Sequence, residues 1–147
     1  MSPTHRALPV AAIELCAGDG APTESRRALT RTDFVRYAGA SGDFHPIHHD
    51  ETFAINAGVA SVFGMGLLHG GMLGAYLARW VGPNNIRMFS LRFLARVWPE
   101  DELTLSGQVE EVRAEADGPC AIVRLEATSS RGEMVAAAQA TVSIAGT

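Results

Sequence analysis

Cysteine is scarce in this chain. Its 147 residues include two, Cys16 and Cys120, which lie far apart and form no metal or redox motif. That usage excludes a disulfide scaffold, and both are read as reduced thiols of a cytoplasmic protein. Long apolar runs are missing too. No stretch approaches the roughly eighteen residues that a membrane-spanning helix needs, so no membrane insertion is expected. The apolar piece Ala7–Leu15 is interrupted by Glu14 and lacks a strongly basic leader, so it is not read as a signal peptide. Basic tracts are absent as well. Lys and Arg number 12 against 16 Asp and Glu, a formal charge of -4, which argues against nucleic acid or an anionic membrane as the main partner. There is no internal repeat, no low-complexity tract and no second domain boundary. Residues 1–147 therefore read as one domain.

What is present is enough apolar material for a packed core, 47% of residues, arranged in two different periods. The first half is helical. Gly18–Ser25 reads as a polar loop. Thr32 is the expected N-cap of a short helix carrying Asp33, Phe34, Tyr37 and Ala38 and ending near Ala40. Gly42 and Pro46 make Ser41–Asp50 a shaped loop. Asp50 caps a second short helix with Phe53, Ala54 and Ala57, closed by Gly58. The most apolar helix runs from about Leu68 to Val81, with Met72, Leu73, Tyr76, Leu77 and Trp80 covering much of its circumference, and Gly82-Pro83 ends it.

The second half alternates with period two. Four runs, Phe89–Val97, Leu103–Val109, Ala121–Thr128 and Ala136–Ile144, are separated by turns at Pro99–Asp101, Asp117–Pro119 and Arg131–Glu133. One buried helix followed by an antiparallel meander predicts an α+β domain with the sheet wrapped round the helix. Small residues in the last run, Ala136, Ala137, Ala138 and Ala140, allow helix and sheet to approach closely.

Chemistry is concentrated in Ser41-Gly-Asp-Phe-His-Pro-Ile-His-His-Asp50. A turn there can bring the Asp43 carboxylate and the His48 imidazole to one point with a water between them, an arrangement suited to general acid–base work. The plainer reading is an Asx-turn at Asp43 and a packed, half-buried His48. A metal site is a third reading, because His45, His48, His49 and Asp50 crowd together. Pro46 spoils the helical spacing that would aim two histidines at one ion, so no metal is expected. His45 and His49 are read as rim or positioning residues. The second feature is Gly64-Met-Gly-Leu-Leu-His-Gly-Gly-Met72, at the start of the buried helix. Amides at a helix N-terminus are unpaired and glycines admit close approach, so a thioester oxygen gaining negative charge fits there. A tight loop entering a buried helix explains the same residues without function.

Phe34 to Met72 resembles the MaoC-like, (R)-specific enoyl-CoA hydratase group of hot-dog proteins. That group carries a G-D-x-N-P-[IL]-H loop followed by an H-G-M-type helix entrance. This chain reads Gly42-Asp43-Phe44-His45-Pro46-Ile47-His48, then His69-Gly70-Gly71. The resemblance implies a single hot-dog domain, an antiparallel sheet around a long central helix. It implies Asp43 and His48 as the catalytic pair and the Gly70 or Gly71 amide as oxyanion donor, with Ser41, His45 and His69 as candidate positioning residues. The implied reaction is reversible syn hydration of a trans-2-enoyl thioester to the (3R)-3-hydroxyacyl thioester. Coenzyme A or acyl carrier protein would be the carrier, with no cofactor and no metal. A homodimer is the simpler expectation, with a heteromer as the alternative. His45 stands in place of the group's Asn, Gly71 in place of its Met, and Ala78 where some members have a serine.

The same His69-Gly70-Gly71 also resembles the H-G-G motif of a hot-dog thioesterase branch, whose catalytic carboxylate lies about two turns further along the helix. Gly74 to Arg79 offers no Asp or Glu, so hydrolysis lacks its base here.

Overall fold

The computed structural model describes residues 13–145, so most of the Ala7–Leu15 piece lies outside the described residues. The alternating runs form strands β2 (Ile86–Phe93), β3 (Leu103–Arg113), β4 (Cys120–Ser129) and β5 (Met134–Ser143). With β1 (Glu24–Arg26) they make one five-stranded antiparallel sheet in the order β1-β3-β4-β5-β2. The helical half supplies α1 (Arg31–Ser41), a 3-10 turn at Pro46–His48, α2 (Glu51–Asn56) and the long α3 (Gly66–Val81).

The sheet wraps round α3, as the hot-dog resemblance implies. Leu73, Tyr76 and Leu77 point from α3 into a core closed by Leu103, Leu105, Val123 and Leu125. The alanines of β5 sit where expected: Ala136, Ala138 and Ala140 are buried beneath the helix. Gly70 sets how tightly α3 lies on β2, because a Cβ there would collide with Leu91 Cδ2.

Several expected boundaries move, each for a physical reason. The first helix is capped by Thr30, not Thr32. The Asp33 amide donates to Thr30 Oγ1 at 3.3 Å and the Thr30 amide donates back to the Asp33 carboxylate at 2.9 Å, a reciprocal capping box. The Gly18–Ser25 loop is partly sheet. Gly20 bridges Gln108, and Glu24–Arg26 lies on the edge of β3, where one-sided pairing demands no apolar alternation. The first long strand stops at Phe93. Ala95 and Val97 leave the sheet, and the Val97 carbonyl accepts the Gly64 amide at 2.8 Å instead. Most consequential for function, α3 begins at Gly66, two residues before Leu68.

Candidate active site

The polar loop is built from short-range contacts that its sequence dictates. Gly42 ends α1 with φ 76°, the left-handed conformation that glycine takes without a steric penalty, and so turns the chain out of the helix. Ser41 Oγ accepts the Asp43 amide at 3.2 Å. Asp43 Oδ1 accepts the His45 amide at 3.3 Å, which is the Asx-turn of the plainer reading and leaves Oδ2 to face elsewhere. His45 caps the 3-10 turn, its Nδ1 accepting the Ile47 amide at 3.2 Å, with Pro46 in the first turn. An asparagine oxygen could accept in the same way, so the cap is compatible with either residue at this position. His49 Nε2 donates to the Phe44 carbonyl at 3.2 Å, and Asp50 caps α2 by accepting the Phe53 amide at 3.0 Å.

Within this frame Asp43 and His48 meet. Asp43 Oδ2 lies 3.8 Å from His48 Nε2, too far for a direct hydrogen bond and short enough for one water to touch both. The His48 side chain is 12% exposed and that of Asp43 46%, so the imidazole is held and the carboxylate is open to solvent. His48 Nδ1 lies 2.7 Å from the Phe63 carbonyl oxygen. A carbonyl can only accept, so Nδ1 carries a proton, and in the neutral ring Nε2 is the acceptor that faces Asp43. The Phe63 ring stands edge-on to His48 at 5.1 Å, and the Arg96 guanidinium lies over that ring.

The hold that Phe63 has on His48 is not visible in the sequence, because it is made by a backbone carbonyl that any residue type could supply. The segment behind it is pinned. A Cβ on Gly64 would sit 3.0 Å from Phe34 of α1, and α3 starts two residues later.

That start relocates the open amides. Gly70 and Gly71 are the fifth and sixth residues of α3, where helical amides bond the carbonyls four residues back. The expectation drawn from His69-Gly70-Gly71 thus falls one turn inside the helix, past its mouth. The unpaired amides at the helix mouth are those of Gly66 and Leu67, since the Leu68 amide already reaches the Met65 carbonyl at 3.0 Å. Gly66 borders a cavity of about 480 Å³ with Phe63, Gly64, His69, Phe93 and Ala95. The cavity thus shares the Phe63–Gly64 backbone that orients His48. His69, expected among the positioning residues, lines this cavity from the first turn of α3 and does not touch the Asp43 loop through any hydrogen bond. Burial pushes its pKa down from 6.5 to about 4, so it is neutral near pH 7.

Gly66–Val81 contains no aspartate or glutamate, so the helix carries none of the carboxylate that the thioesterase branch uses. No group of three or more His, Cys, Asp or Glu side chains among the described residues is placed to hold a metal ion. Among the same residues, no helix is long and apolar enough to cross a membrane.

Comparison with known proteins bears on the family and the fold. The family described as "MaoC like domain" matches residues 16–131. The beta subunit of 3-oxo-4,17-pregnadiene-20-carboxyl-CoA hydratase from Mycobacterium tuberculosis is 33% identical over 82 residues, covering 55% of this chain and 64% of that subunit. The chain therefore spans less than two thirds of that relative. A chain of the ChsH1–ChsH2 complex, also from M. tuberculosis, superposes with a TM-score of 0.77 at 25% identity, over 90% of this chain and all of that one. The (R)-hydratase of A. caviae involved in PHA biosynthesis superposes with a TM-score of 0.77 over 91% of this chain and all of its own. At 24% identity it speaks for the fold.

Proposed function

This chain belongs to the MaoC-like family, and we propose that it is an acyl-thioester hydratase whose acid–base pair is Asp43 and His48. The observation that carries the proposal is the 3.8 Å gap between Asp43 Oδ2 and His48 Nε2, with Nε2 left as an acceptor by the Phe63 bond.

The substrate is a trans-2-enoyl thioester of coenzyme A or acyl carrier protein. A water in the gap donates towards both Nε2 and the carboxylate. As its oxygen attacks the β-carbon, one proton passes to the pair, and the Phe63 carbonyl and Asp43 carboxylate steady the imidazolium that forms at His48. The double-bond electrons move through the α-carbon to the thioester oxygen. The open amides of Gly66 and Leu67 donate to that oxygen as it gains charge, favoured by the positive end of the α3 dipole. The proton held by the pair then goes to the α-carbon on the same face. One water is consumed, and H and OH add syn, giving the (3R)-3-hydroxyacyl thioester that the family resemblance implies. The chemistry needs no redox cofactor or metal.

Strand β2 ends the sheet, with Met88, Phe93 and Leu94 exposed along and beyond it, and Leu67 exposed at the helix mouth. An unpaired apolar edge of this kind is a template for a second chain, and we take the partner to be another copy of this one. A related second subunit is the alternative, favoured by the heteromeric complex that contains the similar M. tuberculosis chain.

The test is a panel of trans-2-enoyl-CoA substrates of increasing bulk. Hydration is followed by loss of the absorbance of the conjugated double bond, with free thiol measured in parallel. Absorbance loss without thiol release supports hydration. Thiol release without hydration supports the thioesterase reading and defeats this one.

A further inference from the structure

His69 has no partner in the fold. It is 2% exposed, and neither Nδ1 nor Nε2 has a hydrogen-bond partner. Natural proteins bury few such groups, since an apolar side chain of the same shape would pack as well at no polar cost. The imidazole is not satisfied by aromatic packing either. Phe93 stands against it edge-on at 5.6 Å, which occupies space without accepting or donating a hydrogen bond.

Its place explains what could complete it. Gly66 and His69 are one turn apart on the same face of α3, and helical side chains lean towards the N-terminus of their helix. Both line the cavity of about 480 Å³, whose other walls include Phe63, Phe93, Leu94 and Ala95. The cleft is walled mainly by apolar groups, with the exposed Arg96 among its lining and His69 as its buried polar side chain, the form of a site that orients a mostly apolar ligand by few polar contacts. Because burial keeps this imidazole neutral, it offers one donor and one acceptor and no charge. The ring itself therefore has no charge with which to draw an anion.

We propose that His69 selects the acyl group, by hydrogen-bonding an uncharged oxygen, a hydroxyl or ketone, that the acyl group carries beyond its reacting carbons. The inference rests on the hydratase reading of the site. In that reading the thioester oxygen already belongs to the Gly66 and Leu67 amides and the β-oxygen to Asp43 and His48. The oxygen that His69 meets therefore lies elsewhere on the acyl group. His69 is a specificity residue and takes no part in proton transfer.

The experiment uses matched pairs of trans-2-enoyl-CoA substrates with one carbon skeleton, with and without a hydroxyl or ketone at successive positions beyond the β-carbon. For wild type, kcat/KM should favour the oxygenated member of at least one pair by about tenfold or more. His69→Leu should erase that preference by lowering turnover of the oxygenated member, leaving the plain member within about twofold, and His69→Gln should restore part of it. A purely structural role would lower both members together. Wild type favouring the plain member of every pair, or a preference that survives in His69→Leu, overturns the proposal. If His69→Leu does not fold, ring ¹⁵N shifts of His69 in the wild-type protein decide. They should move on binding the oxygenated product and not its deoxy counterpart, and equal response to both is the contrary result. A wild-type chain that hydrates no member of any pair would instead overturn the hydratase reading itself.

Discussion

His48 donates its Nδ1–H to the Phe63 carbonyl oxygen across 2.7 Å, and this one bond decides what the opposite nitrogen can do. In water a neutral imidazole carries its proton on either nitrogen. Here the carbonyl selects Nδ1–H in the neutral ring, and Nε2 is left as the acceptor that faces Asp43. Ring ¹⁵N spectra near pH 8 should show His48 as the Nδ1–H tautomer. A spectrum with the proton on Nε2 would contradict the arrangement.

The relocated helix mouth separates two glycines that look alike in sequence. A Cβ on Gly66 would press on the Phe93 ring at 2.9 Å beside the open amides. Gly66→Ala should therefore lower kcat/KM by about tenfold or more, since displacing even one oxyanion donor costs about 10²–10³-fold. A Cβ on Gly71 meets nothing within 4 Å. Gly71→Ala should leave kcat/KM unchanged and raise stability by about 0.5–1 kcal/mol, the helix preference of Ala over Gly. Denaturant unfolding and steady-state kinetics on the two variants check both halves. Loss of activity in Gly71→Ala alone would return the oxyanion site to the inner turn.

His69 makes stability depend on pH. Its folded pKa of about 4 lies below the ordinary 6.5, so below pH 6.5 the unfolded chain takes up a proton that the folded chain refuses. Stability is full above pH 6.5 and falls as the pH drops to about 4, by up to about 3 kcal/mol over that window. In His69→Gln the fall across pH 6.5 to 4 should be markedly shallower in urea unfolding curves. An unchanged slope would show that the folded protein accommodates the charged ring.

His45 offers a test of loop positioning. Because its Nδ1 accepts the Ile47 amide, His45→Asn should keep activity within about threefold. His45→Ala removes the acceptor and should lower kcat while changing KM little, since the loop no longer holds Asp43 and His48 at their spacing. Equal kinetics for the two variants would mean that the cap does not position the pair.

Much of this was legible in the sequence because it is local. Gly42, Asp43, Pro46 and His48 are near neighbours, and turn chemistry alone brings two of them together. The alternating runs announced β2 to β5, and Ala136, Ala138 and Ala140 announced a close helix–sheet contact. What escaped was set by distant partners. Leu67 and Leu68 continue the apolar pattern, so periodicity cannot say which turn of α3 is the first. The meanings of Gly66 and Gly70 come from Phe93 and Leu91 on another element. Glu24–Arg26 is a strand only because β3 pairs with it. Phe63 matters through its backbone, which side-chain identity does not reveal.

The central claim is that Asp43 and His48 act on the same water, and a double-mutant comparison of hydration rates tests it most directly. Asp43→Asn and His48→Gln should each lower kcat by about 10²–10⁴-fold with the fold retained by circular dichroism. If one water serves both, the double variant should be about as slow as the slower single variant, because the second loss finds nothing left to remove. Near-parental turnover in either single variant, or losses that multiply in the double, would contradict a shared water.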